Sequence, residues 1–229
     1  MNIGANFGGE IALDTVQLTK LLANLIGAVS ATDYEAVQNR VRDLQKRGFP
    51  SSARTGRGRK STYTISDVVA AAAAITLSDL DMTSGRVVEI MDQHRVTVQM
   101  MTVIGWRVVR IRRSGLSEDE FRKAVAGLEG FLEYVPCALG DRKQYEIFVM
   151  TPLSRERMKL FQKRRALIRL DCAALAFDLC DFLEINFRFT SQEVDAAFRD
   201  LGTQLFHAQT EDQWTVAAVE SAISAGQVA

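Results

Sequence analysis

Residues 34–65 read YEAVQNRVRDLQKRGFPSSARTGRGRKSTYTI, and the order of structure in the amino-terminal part follows from them. Tyr34, Val37, Val41 and Leu44 recur at three- and four-residue spacing, the apolar stripe of an amphipathic helix over 33–47. Thr32 or Asp33 is the expected N-cap; Gly48 is the expected stop, with Pro50 just beyond it. A basic tip broken by glycine follows, Arg54-Thr55-Gly56-Arg57-Gly58-Arg59-Lys60, and then a short β-prone segment, Tyr63-Thr64-Ile65.

Charge gives this stretch its meaning. The whole chain is neutral, with 28 Lys+Arg against 28 Asp+Glu. Yet residues 40–60 hold Arg40, Arg42, Lys46, Arg47, Arg54, Arg57, Arg59 and Lys60 against Asp43 alone, a local excess of +7. Like charges this dense repel one another, and an anionic partner relieves the repulsion. Duplex DNA fits, because each phosphate neutralised releases condensed counterions. The plain alternative is a solvated loop beside an ordinary charged helix; a run that joins a helix to a glycine-broken tip favours nucleic acid. Helix, turn, basic tip and strand is the order of the DNA-reading half of a winged helix-turn-helix. In that arrangement Gln38, Asn39, Arg42 and Gln45 read base edges in the major groove. Arg40, Lys46 and Arg47 hold phosphates and set register. The wing carries Arg54, Arg57, Arg59 and Lys60, and Arg57 and Arg59 at its tip reach an adjacent minor groove, favouring A·T-rich sequence. Gly56 and Gly58 let the tip turn without side-chain clash.

At 229 residues the chain can bury a substantial core, as one large domain or two small ones. Its 47% apolar and 24% charged residues are those of a globular protein rather than a disordered one. No apolar run approaches the roughly 18 residues needed to cross a bilayer. The opening MNIGANFGGEIALD lacks the basic and apolar regions of a secretory signal. Cys137, Cys172 and Cys180 leave an odd thiol and show no CxxC spacing, so a reducing cytoplasm is expected. Cys172 and Cys180 sit among Ala, Leu and Phe and read as small core residues.

Upstream, residues 1–10 form a glycine-rich lead expected to be flexible. A first helix spans about Thr15 to Gly27, with Val16, Leu21, Leu22, Leu25 and Ile26 apolar, and Gly27-Ala28-Val29-Ser30 turns into the second. Helix, short turn, helix is the minimal helix-turn-helix unit. Downstream, Ser66 caps a third helix to about Leu77, whose alanine run (Ala70 to Ala74) favours helix and close approach of a neighbour. Thr83 or Ser84 opens a fourth through Val87, Val88, Ile90 and Met91.

Over residues 16–92 the chain resembles the winged helix-turn-helix of MerR-type regulators. It is similar, too, to the DNA-binding domain of small terminase subunits from tailed phages. The matching motifs are the Gly48-Phe49-Pro50 corner, the basic wing Arg54 to Lys60, Tyr63, and Ser66-Asp67-Val68-Val69. What the resemblance implies is a winged helix-turn-helix fold and duplex DNA as partner. Two features depart from the MerR pattern. The turn read over Gly27 to Asp33 is slightly long, and the family's long dimerisation helix with effector cysteines is not read here, so metal sensing is not implied.

Residues 93–116 admit either strand or helix, with Val96, Val98, Met100, Met101, Val103 and Ile104 followed by Trp106 and Arg110-Ile111-Arg112-Arg113. Ser117-Glu118-Asp119-Glu120 is a capping box for a helix to about Gly130 that buries Phe121, Val125 and Leu128. Leu132 to Leu139 and Gln144 to Met150 flank Gly140-Asp141-Arg142-Lys143 as the arms of a hairpin. Trp106-Arg107-Val108, Asp141-Arg142-Lys143 and Val149-Met150-Thr151 look like elements of MarR-type regulators. The spacing between them is too short for a full recognition helix, so an α+β oligomerisation domain is preferred, with a second wing as the alternative. From Leu153 the chain reads helical, with Arg155, Arg157, Lys159, Lys163, Arg164, Arg165 and Arg169 against Glu156, and Met158, Phe161, Leu167 and Ile168 apolar. Leu170 to Ile185 is apolar nearly all round, the pattern of a helix buried inside the fold or against another subunit. Thr190-Ser191-Gln192-Glu193 caps the next helix, with Val194, Phe198, Leu201 and Leu205, and Thr210-Glu211-Asp212-Gln213 caps a last one with Trp214. Residues 170–229 carry ten acids and two bases, a balance suited to a dimer or another protein and not to DNA.

No catalytic centre is expected. His94 and His207 have no Ser or Cys elbow nearby and read as surface residues. No Cys/His cluster has metal-ligand spacing. Thr55 to Thr62 differs from a phosphate-binding loop, since Arg59 stands where glycine must precede the lysine. The expectation is therefore a mainly α chain with small β-hairpin wings. A winged helix-turn-helix over 11–92 precedes a mostly helical oligomerisation domain over 93–229, with a hairpin at about 132–150. The expected role is that of a homodimeric, cytoplasmic, bacterial or phage transcription regulator on double-stranded DNA, with no cofactor and no membrane contact. A small terminase subunit and a non-DNA protein-interaction adaptor are the alternatives.

Overall fold

Leu18, Leu21 and Leu22 on one helix, and Val37, Val41 and Leu44 on the next, are the apolar stripes around which the amino-terminal unit closes. A computed structural model describes residues 11–50, 61–79, 82–125, 131–135, 146–150 and 168–208. In chain order its elements are β1 (Ala12–Asp14), α1 (Thr15–Leu25), α2 (Ala31–Lys46), β2 (Thr62–Thr64), α3 (Ile65–Asp79), α4 (Ser84–Arg113) and α5 (Glu118–Ala124). They continue with β3 (Phe131–Val135), β4 (Glu146–Met150), β5 (Ile168–Asp171), α6 (Cys172–Phe187) and α7 (Ser191–Ala208). The described chain is mainly helical, with two small antiparallel sheets. It divides into two compact units: the chain up to Gln99 with Asp178–Gly202, and Met100–Phe177 with the chain from Thr203 onward.

In the first unit, the helices begin where side chains can satisfy their free amides. Asp14 accepts from the Gln17 amide at 2.8 Å while Gln17 Oε1 accepts from the Asp14 amide at 2.9 Å. Ser30 and Asp33 form the same reciprocal box at the start of α2, at 3.1 and 3.0 Å. Such a cap contributes about 1 kcal/mol. Ser30 therefore caps α2, where Thr32 or Asp33 was expected; Asp33 instead serves as the reaching-back partner at the third helical position. The connection between α1 and α2 is correspondingly short, Ile26–Ser30, rather than the Gly27 to Asp33 turn read from the sequence. Gly27 (φ +70°) and Gly48 (φ +78°) end α1 and α2 in the left-handed region that glycine enters without steric cost.

β1 was not expected. It pairs antiparallel with β2 in the register Ala12↔Thr64, Leu13↔Tyr63, Asp14↔Thr62, and buries Leu13 and Tyr63. Ile65 belongs to α3 rather than to the strand, and Ser66 is not the cap. Asp67 reaches back to the Thr64 amide and hydroxyl, both at 3.2 Å. Ala70 to Ala74 are all buried, so α3 is enclosed on every side along this stretch.

α4 is one continuous helix of 30 residues, and the boundary expected at 92/93 falls inside it. Val87, Ile90, Met91, Val98, Met101, Trp106 and Val109 are buried along it, which settles the strand-or-helix alternative in favour of helix. A long helix thus does follow β2 and α3, although it holds no cysteine.

In the second unit, β3 pairs antiparallel with β4 from Phe131↔Met150 to Val135↔Glu146, within the two arms expected at Leu132 to Leu139 and Gln144 to Met150 apart from Phe131. β3 also pairs with β5 (Phe131↔Asp171 to Tyr134↔Ile168), giving the order β4-β3-β5. Ile168 and Arg169 are therefore strand residues, not part of a helix from Leu153. Asp171 is the cap of α6, its Oδ1 accepting from the Ala173 and Ala174 amides at 2.9 and 3.0 Å. The Ser117–Glu120 box caps α5, which ends at Ala124 and not near Gly130; Val125 is buried and Phe121 half-buried. α4 and α6 touch through glycine: a Cβ on Gly105 would overlap the Cys172 carbonyl and stand 2.7 Å from Ala173 Cα. Cys172 and Cys180 are buried, as their apolar neighbours implied.

Within the single chain α6 is buried in part and leaves Phe177 and Ile185 exposed. The Thr190–Glu193 box opens α7 as read from the sequence, with Val194, Phe198, Leu201 and Leu205 buried. The lead at 1–10, Leu128, Cys137, the Gly140–Lys143 tip, the basic run at 155–165 and the Thr210–Gln213 cap lie outside the described residues. No helix among the described residues is long and apolar enough to cross a membrane.

Candidate nucleic-acid interface

The apolar stripe of α2 fixes which side chains the helix shows to solvent. Val37, Val41 and Leu44 face α1 and α3, so Asn39, Arg42 and Lys46 lie on the opposite side and are exposed. Gln38, Arg40 and Gln45 lie on the flanks, half-buried, and Arg47 is the exposed C-cap residue. Asn39, Arg42 and Lys46 thus share the outer face, Gln38 and Arg40 keep partial exposure on opposite flanks, and one candidate is an exception that turns inward.

That exception is Gln45. Its Nε2 donates to the buried hydroxyl of Tyr63 on β2. It also lines a small recess, about 10 Å³, with Leu18, Leu22, Val41, Leu44, Phe49, Pro50, Tyr63 and Ala71. A recess of that size holds about one water at most. Gln45 thus ties α2 to β2 instead of standing ready for a base edge. Helical spacing put it one turn beyond Val41 and close to the stripe, and a tyrosine fifty positions away from β1 but opposite α2 could not be seen from the sequence.

The cations differ in their partners. Arg40 Nη1 bonds Asp79 Oδ1 at 3.0 Å, joining α2 to the end of α3. Lys46 Nζ lies 3.2 Å from Asp43 Oδ1. Both pairs are well exposed and weak, and each yields readily to a competing phosphate. Arg42 Nη1 donates to a neutral acceptor, Asn39 Oδ1, at 3.3 Å. Arg47 extends over the start of α4, its Nη1 3.3 Å from where a Cβ on Gly85 would sit. At the other end of α2 the Ser30 hydroxyl, and then its backbone N–H, hold the Asp33 carboxyl below its ordinary range. The helix is thus acidic at its start and basic at its end. Arg54, Arg57, Arg59 and Lys60 lie outside the described residues, as do Gly56 and Gly58.

A polar network missed by the sequence reading stands behind this surface. Asp67 is buried, its Oδ1 2.9 Å from Arg95 Nη2 on α4. Gln99 Nε2 donates to the Ser66 carbonyl at 2.8 Å and to its hydroxyl at 2.7 Å. The start of α3, and through Thr64 the end of β2, are thereby fixed to α4. Ser66-Asp67 carried only a capping signal in sequence, because its partners lie about thirty positions away.

Among the described residues no group of three or more His, Cys, Asp and Glu is placed to hold a metal ion. His94 is half-buried on α4, and burial lowers its imidazole pKa below the usual 6.5. No protein-family model matches the chain, and neither does any curated protein or solved structure.

Proposed function

We propose that the protein is a sequence-specific regulator of transcription that binds double-stranded DNA as a homodimer in a bacterial or phage-infected cytoplasm. The observation that carries this is the outer face of α2: Asn39, Arg42 and Lys46 exposed together, on a helix locked by its cap and by Val37, Val41 and Leu44. α2 enters the major groove and Lys46, Arg47 and Arg40 meet phosphates on either side. The basic segment 54–60, which joins α2 to β2, supplies further cations to the backbone or the minor groove.

The test is retention of duplex fragments by the purified chain as salt is raised. With about four phosphates neutralised per subunit, affinity falls roughly 10⁴-fold from about 50 to about 200 mM salt. Replacing Arg57, Arg59 and Lys60 by alanine weakens binding across all sequences and flattens that slope. Duplex retention untouched by this triple substitution would overturn the proposal. Mass in solution separates the closest rival: a dimer fits the regulator, and a ring of many subunits fits a DNA-packaging protein. A protein-interaction adaptor, the third reading, shows no salt-sensitive duplex binding at all.

A further inference from the structure

We infer that Arg42 reads a guanine in the major groove and that Asn39 is the residue that positions it. The inference rests on the duplex-binding proposal and deepens it, by assigning the base and the side chain that specify sequence.

Three observations converge. The first is direction. Arg42 and Asn39 stand opposite the buried stripe of Val37, Val41 and Leu44, at the centre of the exposed face of α2. The second is charge. Asp33 and Glu35 occupy the first turns of α2, both exposed, and repel phosphate there, whereas its cations begin at Arg40. The helix therefore approaches a polyanion with its middle and carboxyl-terminal half. The third is the partner of each cation. Arg40 and Lys46 are held by the carboxylates of Asp79 and Asp43, which balance their charge at the helix margins. Arg42 is held by a neutral amide oxygen, so its charge is uncompensated by that bond while one Nη1 hydrogen is fixed in direction.

A guanidinium carries five N–H donors in a planar fork. One bond to Asn39 leaves four, enough for the two parallel hydrogen bonds that guanine O6 and N7 accept in the major groove. Fixing one edge of the fork also reduces the rotamer freedom that a long side chain loses on binding. Asn39 Nδ2 remains a donor beside it, free to meet a neighbouring acceptor on the base-pair edge. Arg42 is thus the reading residue and Asn39 acts through it.

The experiment is selection from a pool of duplexes with a randomised core, performed on the full chain and on Arg42→Ala, Asn39→Ala and Asn39→Asp, at a salt concentration where the wild type is retained. The wild type enriches a fixed guanine in each half-site. Arg42→Ala loses that guanine, its preference over the other bases falling by about tenfold or more. Asn39→Ala weakens the same preference while leaving total retention at low salt within a few-fold. Asn39→Asp keeps the acceptor and keeps the guanine, although its added negative charge lowers overall affinity; a merely structural role for Asn39 would not be rescued at that one base. If Arg42→Ala selects the same sequences as the wild type, or Asn39→Ala leaves the guanine preference intact, the assignment falls while duplex binding stands. If the wild-type chain retains no duplex at any salt, the duplex-binding proposal and this assignment fall together.

Discussion

Replacing Asp67 with alanine probes the polar network behind α2 most directly. Asp67 is 1% exposed and accepts from Arg95 Nη2 at 2.9 Å and from the Thr64 amide and hydroxyl at 3.2 Å. Removing one partner of a buried ion pair costs about 3–5 kcal/mol, because the other charge is left without compensation. Arg95 keeps 22% of its side chain in contact with solvent, and water takes over part of its bonding. The expected loss therefore lies at the low end, about 3 kcal/mol. In a chain of this size about 1 kcal/mol moves the melting temperature by roughly 2–4 °C, so Asp67→Ala lowers it by roughly 6–12 °C. Urea unfolding of Asp67→Ala, Arg95→Ala and the double variant completes a cycle. Since each single loss removes the same Asp67–Arg95 bond, the double variant is less destabilised than the two single losses added together, by about 1 kcal/mol or more. A cost below about 1 kcal/mol for Asp67→Ala, or strict additivity in the cycle, would refute the role given to this network.

Other consequences are equally open to measurement. Tyr63→Phe deletes only the hydroxyl that accepts from Gln45, and urea unfolding should show a loss of about 1 kcal/mol with no change in the helical circular-dichroism signal. Gly105→Ala forces a Cβ against the Cys172 carbonyl and Ala173 Cα, backbone atoms that cannot swing aside, and is expected to cost about 1–3 kcal/mol or more by the same assay. His94 has its folded-state pKa lowered by burial, so below pH 6.5 the unfolded chain binds more protons than the folded one. Stability conferred by this group is thus complete above 6.5 and declines as pH falls toward the folded value; a His94→Gln variant should lack that component when melting temperature is followed across the same range. The carboxyls of Asp33 and Glu193 are lowered by their cap hydrogen bonds, to Ser30 and to the Thr190 amide and hydroxyl, so what they contribute persists at neutral pH and is lost only as pH drops below 3.8 and 4.5 toward the folded values; Glu193→Gln should flatten the acid limb of the melting curve.

Local signals in the chain were legible wherever the interaction itself was local. The Ser117–Glu120 and Thr190–Glu193 boxes sit three residues apart and act over that distance, and the Val37-Val41-Leu44 stripe needs only helical periodicity. The pairing of β3 with β4 was signalled by the alternation of Tyr145, Ile147 and Val149 with their neighbours. What was missed depended on partners far along the chain. β1 is three residues long, too short for a pattern, and exists because β2 pairs with it. β5 was read as helix since Leu167-Ile168-Arg169-Leu170 suits either period, and β3 decides it. α4 was ambiguous because runs such as Val96-Thr97-Val98 and Met100-Met101 alternate locally; only over its full length do Val87, Ile90, Met91, Val98, Met101 and Val109 fall on helical spacing. On the candidate interface, exposure of Asn39, Arg42 and Lys46 followed from the stripe, whereas the inward turn of Gln45 required Tyr63 to be in place.

The ladder between Ala12–Asp14 and Thr62–Thr64 carries a consequence for synthesis. Leu13 and Tyr63 are fifty positions apart, and both α1 and α2 lie in the loop they close. At roughly 5–20 residues per second, a ribosome releases the first strand on the order of several seconds before the second. For the last part of that interval, roughly 1–3 seconds from Lys46 to Thr62, α2 has neither β2 nor Tyr63 to rest on. The nascent chain therefore completes its cationic helix only briefly before the strand that orients it.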